Sequence, residues 1–198
     1  MLQGIKNTVY TFIAKFIPGI SAAGRKAEMK KIRNRPNTMM PADFVLGEGS
    51  GFHLVGAYSN LHIGAGVSFR KYCNIMLFPG ASMTLGKNVF FNNYCSLNCL
   101  DKIEIGENTL FGEGIRIYDH NHGYTFDPES GLEVKSEDFS TAPVRIGKNC
   151  WIGSNVTILK GVEIGDNVIV GANCLVYRSI PANSIVKHTE NLVITPFH

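Results

Sequence analysis

An aliphatic residue followed by glycine recurs along most of this chain, as Ile63-Gly64, Leu85-Gly86, Ile105-Gly106, Ile146-Gly147 and Ile164-Gly165, at spacings of 22, 20, 41 and 18 residues. Between these marks large apolar residues return every six positions: Ile63, Phe69, Ile75; Leu85, Phe91, Leu97; Ile105, Phe111, Ile117; Ile146, Ile152, Ile158; Ile164, Val170, Val176. Four residues after each, the side chain is mostly small or β-branched, as at Val67, Cys73, Val89, Cys95, Thr109, Cys150, Val156, Val162, Val168 and Cys174. A period of six fits neither a helix of 3.6 residues per turn nor the two-residue alternation of a free strand. It fits a coil of short strands joined by corners, in which position one fills the corner, glycine at position two permits the bend and position five packs the interior. Three hexapeptides close a turn, and stacked turns make a triangular prism. The spacing of 41 is then one turn plus a long excursion, from about Gly123 to Pro143.

Residues 1–40 lie outside the repeat and read as a helical, basic segment, with 41–198 as the coil domain. Ile5, Val9, Phe12, Ile13, Phe16 and Ile17 share one face at helical spacing, which predicts a short amphipathic helix ending near Pro18-Gly19. That face is expected to pack on the coil or a sister subunit; a peripheral membrane contact by residues 1–20 is the sharper alternative. Lys6, Lys15 and Arg25 cut the apolar stretch into pieces too short for a bilayer span. Charge is uneven. The first forty residues hold eight Lys and Arg against Glu28 alone, and the remainder eleven against fifteen acids, so the body is mildly acidic and nucleic acid is disfavoured as a partner. The five cysteines are odd in number and form no CxxC pair. Four of them occupy position five and read as small packing residues. A cytoplasmic location is expected on these grounds.

A prism face is nearly flat, and a reacting group needs a concavity, so chemistry is expected at the excursion or against a neighbouring prism. The mouth of the excursion reads Ile117-Tyr118-Asp119-His120-Asn121-His122-Gly123. A histidine beside an orienting carboxylate is what proton abstraction from an alcohol or amine requires near neutral pH. An HxH pair also suits zinc, but no third ligand stands near it in the sequence, and a zinc hydratase is kept only as an alternative. Trp151, the only tryptophan, falls at position six and is expected to point outward beside the base of the excursion. Ser154, Lys160, Ala172 and Arg178 follow on later coils, and Lys160 or Arg178 suits a phosphate. Cysteine catalysis is disfavoured, because Cys150 and Cys174 point inward, where a thiolate is desolvated.

Residues 45–181 resemble the hexapeptide-repeat acyltransferases, and within them the sugar O-acetyltransferases. The resemblance is carried by Asp119-His120-Asn121-His122-Gly123 and by the run from Val144 through Cys150-Trp151-Ile152-Gly153-Ser154 to Ile158. It implies an all-β, left-handed parallel β-helix, a homotrimer, and acetyl-CoA lying in a groove between subunits. By the same resemblance the catalytic histidine stands seven positions after Ile115, at His122, with His120 as the neighbouring candidate. Trp151 would pack along the pantetheine arm, Ser154 and Ala172 would meet the cofactor through the backbone, and Arg178 would sit near its phosphates. Lys160 stands where the family usually has proline, and Ser184-Ile185-Val186 where it usually has Gly-x-Pro-Ala. The implied reaction is direct transfer of acetyl from acetyl-CoA to a hydroxyl of a saccharide. An N-acetyltransferase on an amino sugar nucleotide, a xenobiotic acetyltransferase and a non-catalytic β-coil protein are the other readings the residues leave open.

Overall fold

All fifteen position-one residues are buried, and they line the inside of a parallel three-sided coil. The computed structural model describes residues 24–55 and 59–189. The chain divides into two compact units, Met1–Thr38 and Met39–His198. In the first, residues 24–33 form a helix that ends ahead of Pro36. The amphipathic helix expected before Pro18 lies outside the described residues.

The second unit is the expected all-β parallel coil. Its first face stacks Asn60–Ile63, Ser82–Leu85, Lys102–Ile105, Val144–Ile146 and Glu163–Ile164. The second stacks Val45–Leu46, Ser68–Phe69, Phe90–Phe91, Leu110–Phe111, Trp151–Ile152, Ile169–Val170 and Ile185–Val186. The third stacks Gly51–Leu54, Asn74–Leu77, Ser96–Cys99, Arg116–Tyr118, Thr157–Ile158 and Leu175–Val176. Register is fixed by identity of position, so Ile105 pairs with Leu85 and Ile146, and Phe111 with Phe91 and Ile152. Stacking like upon like builds interior columns. Phe69, Phe91 and Phe111 lie ring on ring at 4.3 Å, with Phe44 edge-on to Phe69 at the N-terminal end.

The corners work differently from the sequence reading. Position one closes the strand and faces inward, while the bend falls at position four, where the backbone enters the left-handed region. Asn88, Asn108, Asn149, Asn167 and Asn183 hold φ between 56° and 61° along one edge. Asparagine tolerates this conformation better than most residues, and here each side chain also bonds the next, from Asn88 Nδ2 to Asn108 Oδ1 at 3.0 Å through to Asn167 Nδ2 to Asn183 Oδ1 at 2.9 Å. Glycine at position two serves a second purpose, close stacking: a Cβ on Gly106 would stand 2.6 Å from the Gly147 carbonyl carbon of the next coil.

The excursion is not a loop. It is a two-stranded antiparallel ribbon, His120–Asp127 against Gly131–Thr141, so it begins three residues earlier than expected. Its turn is tied by Asp127, whose Oδ1 accepts from the amides of Glu129 and Ser130 at 2.9 and 2.8 Å. At the neck, the amide of Ala142 donates to the carbonyl of Asp119 at 2.9 Å, and Gly161 donates to Ala142 at 3.2 Å.

Candidate active site

The ribbon leaves the prism at the edge where the third face gives way to the first, because it is inserted between Arg116–Tyr118 and Val144–Ile146. Asp119 is the last residue before it and is fully buried. A buried carboxylate must be hydrogen-bonded, and the preceding coil supplies the donors: the amide of Leu100 reaches Oδ1 and Oδ2 at 2.9 and 3.0 Å, and that of Asp101 reaches Oδ2 at 2.7 Å. Oδ1 also faces His120 Nδ1, at 3.1 Å, and the buried Cys99 thiol stands against the same carboxylate. The carboxylate therefore fixes one histidine of the pair, and it is His120. That side chain is only 14% exposed. Its ring stands edge-on to Tyr118 and Phe139, at 6.1 and 5.4 Å between centroids.

His122 lies two residues along the same strand, exposed, with Nδ1 3.3 Å from the carbonyl of Lys135 and its ring 4.7 Å from Phe139. It has no carboxylate behind it. With Nδ1 engaged in both rings, Nε2 is the nitrogen each leaves free. Phe139, which packs on both histidines, was not singled out in the sequence. It stands far along the chain, and only the ribbon register, His122 opposite Phe139, brings it there.

The remaining expected site residues fall into two groups. Lys160 and Arg178 follow third-face strands and so share the edge that carries the ribbon. Lys160 Nζ donates to the carbonyl of Ser140 at 3.2 Å and meets its hydroxyl, so this lysine anchors the ribbon rather than standing free for a phosphate. The Arg178 guanidinium lies 5.2 Å over the ring of Tyr177. Trp151 is 56% exposed and faces outward as expected, but not beside the base of the excursion. It belongs to the second face, opposite the edge from which the ribbon springs, with Leu110 and Ile169 as its exposed neighbours in register. Ser154 and Ala172 follow at the edge between the second and third faces, and Ser154 Oγ accepts from the amide of Glu113 at 3.2 Å. One chain thus carries a histidine end and a tryptophan end on opposite sides of a packed prism.

All five cysteines are free and buried. Burial pushes the Cys150 and Cys99 thiols up, whereas the hydrogen bond with Cys95 lowers Cys73 to about 7. Cys73 is nonetheless sealed inside the coil, as the position-five reading requires. Among the described residues no group of three or more His, Cys, Asp and Glu side chains is placed to hold a metal ion. No described helix is long and apolar enough to cross a membrane.

The fold and repeat define a hexapeptide coil, and known proteins share it. Residues 143–178 match the family described as bacterial transferase hexapeptide (six repeats). WbbJ of Escherichia coli strain K12, assigned provisionally as a lipopolysaccharide biosynthesis O-acetyl transferase, is 35% identical over 56% of this chain and 59% of its own length. The galactoside O-acetyltransferase of the same strain is 32% identical over 58% of this chain and 54% of its own. The chain thus spans little more than half the length of these relatives. Among solved structures, the S84T mutant of AntD, an N-acyltransferase from Bacillus cereus in complex with dTDP and coenzyme A, is 19% identical with a TM-score of 0.58, covering 82% of this chain and 83% of AntD. The polySia-specific acetyltransferase NeuO is 17% identical with a TM-score of 0.50, covering 74% of this chain and 77% of its own. At these identities the likeness is one of fold.

Proposed function

We propose that this protein transfers an acetyl group from acetyl-CoA to a hydroxyl of a saccharide, with His120 as general base and Asp119 as the group that orients it. The observation that carries the reading is the buried Asp119 carboxylate held by two backbone amides and facing His120 at 3.1 Å. Such a carboxylate holds the ring with Nε2 outward and balances the charge the imidazole acquires when it takes the acceptor's proton. The thioester is electrophilic enough for the alkoxide so formed to attack directly, with no acyl-enzyme. Support for the donor comes from the outward Trp151 with Leu110 and Ile169, an apolar ledge suited to the thin pantetheine arm. Ser154 and Ala172 flank that ledge, and Arg178 suits a phosphate. Because the ledge lies across the prism from His120, a complete site takes its ledge from a second copy, and a homotrimer gives every copy one such site.

The test is release of coenzyme A from acetyl-CoA in the presence of a panel of saccharides. His120→Ala is expected to lose on the order of a hundredfold or more in turnover while still binding acetyl-CoA, and His122→Ala to lose much less. The reverse order would return the base to His122, the position that the count from Ile115 selects.

A further inference from the structure

The ribbon carries a surface that acetyl transfer by His120 leaves unused. Along His120–Asp127, Tyr124 and Phe126 follow the two histidines at alternate positions, and directly opposite them stand Val134 and Leu132. All four are 63–71% exposed. Strand alternation along His120–Asp127 puts Tyr124 and Phe126 on the side of His120 and His122, across a bulge between His122 and Gly123 where residues 136–138 of the facing strand stand unopposed. The opposite face is polar, with Thr125 Oγ1 donating to Glu133 Oε2 at 3.4 Å. At the histidine end the strip is closed by Phe139, in contact with both histidine rings. From His120 to Phe126 it runs about 20 Å, at roughly 3.3 Å per residue.

A two-stranded ribbon is marginal in water unless its apolar face is covered. Apart from the Tyr124 hydroxyl, the four side chains offer no group that could read the hydroxyls of a sugar, so what the strip fits is hydrocarbon. Its continuity with the base points to a part of the substrate. The acids of the ribbon, Asp127, Glu129, Glu133, Glu137 and Asp138, opposed there only by Lys135, speak against an anionic membrane surface as the cover. We infer that the acceptor is an amphiphile, a saccharide joined to a long apolar aglycone, whose sugar hydroxyl meets His120 while its hydrocarbon lies along Tyr124, Val134, Phe126 and Leu132. The proposed acetyl transfer enters this inference only in assigning the reacting end to His120.

Calorimetric titration with methyl, hexyl and octyl β-glucoside, each kept monomeric, tests it without requiring turnover. Full burial of a methylene is worth about fourfold in affinity, and a strip that touches one side of the chain yields about twofold. Octyl is therefore expected to bind about fourfold more tightly than hexyl, and both far more tightly than methyl. The double variant Tyr124→Ser/Phe126→Ser should lose that dependence and Phe126→Leu should keep it. His120→Ala should also keep it, so a wrong base assignment leaves this result readable. Equal affinity for the three glucosides, or unchanged chain-length dependence in the double serine variant, overturns the inference. So does absence of chain-length dependence together with a fall in particle mass of the serine variant by light scattering, which would make the strip an interface between copies.

Discussion

Asp119→Asn isolates the orienting role of the carboxylate, and its consequences follow from four short contacts. Oδ2 accepts from the amide of Asp101 at 2.7 Å and of Leu100 at 3.0 Å; Oδ1 accepts from Leu100 at 2.9 Å and faces His120 Nδ1 at 3.1 Å. Asparagine offers one oxygen and one NH2 group. If its oxygen takes the place of Oδ1, the NH2 points at the amide of Asp101, and a buried donor loses its acceptor at a cost of about 1–3 kcal/mol. If the oxygen takes the place of Oδ2, the NH2 faces His120 Nδ1, which then becomes an acceptor, and the proton moves to Nε2, where a base must be bare. The first arrangement costs stability and the second costs the tautomer. The backbone amides of the preceding coil are the more numerous partners, so the second should dominate. Turnover is expected to fall on the order of a hundredfold, the lower end of what a general base contributes. The melting temperature should drop by only a few degrees, since about 1 kcal/mol corresponds to roughly 2–4 °C in a chain of this size. Steady-state kinetics and calorimetry measure both, with acetyl-CoA affinity as the control for an intact donor site. Turnover within about twofold of the parent, in a variant that binds acetyl-CoA normally, would refute the dyad.

Trp151→Ala should raise KM for acetyl-CoA more than it lowers turnover, because an exposed aromatic on a ledge contributes packing to binding and not to proton transfer; a normal KM with collapsed turnover would move Trp151 to the acceptor. Light scattering should report about three chain masses, and mixing His120→Ala with Trp151→Ala chains should restore part of the activity, because some sites then pair an intact histidine end with an intact tryptophan end; an active monomer defeats this. Asn149→Ala should lose about 1–2 kcal/mol by thermal unfolding, from left-handed strain and two lost amide bonds, the one its Oδ1 accepts from Asn108 Nδ2 and the one its Nδ2 donates to Asn167 Oδ1, while Asn149→Gly loses less. Equal losses for alanine and glycine would assign the effect to the ladder bonds alone.

How much of this was legible in the sequence depends on whether a feature repeats. Ile105, Phe111 and Ile117 announce three strands of a coil because the same pattern stands before and after them, and stacking in register turns each such position into a buried column. The asparagines at 88, 108, 149, 167 and 183 repeat as plainly, yet hydrophobic spacing does not weigh them, and the bend was assigned instead to the glycines at position two. The ribbon carried its own signal, since Tyr124, Phe126, Leu132 and Val134 alternate about the turn Asp127-Pro128-Glu129-Ser130-Gly131; a six-residue search passes over a two-residue one.

The site is harder to read for a different reason. Asp119-His120-Asn121-His122 offers the candidate reacting groups but does not say which histidine the acid meets, because that depends on where the buried carboxylate finds its donors. Those donors are the amides of Leu100 and Asp101, which any residue could have supplied, so no side chain marks them. Trp151 shows the converse. The count from Ile146 already puts it one face beyond the first, and a residue on the second face of a packed three-sided coil cannot share a pocket with the edge opposite. The repeat that makes the fold legible therefore also sets Trp151 and His120 on opposite sides of one prism, and under the proposed reaction the shortest way to join them is a second copy of the same chain.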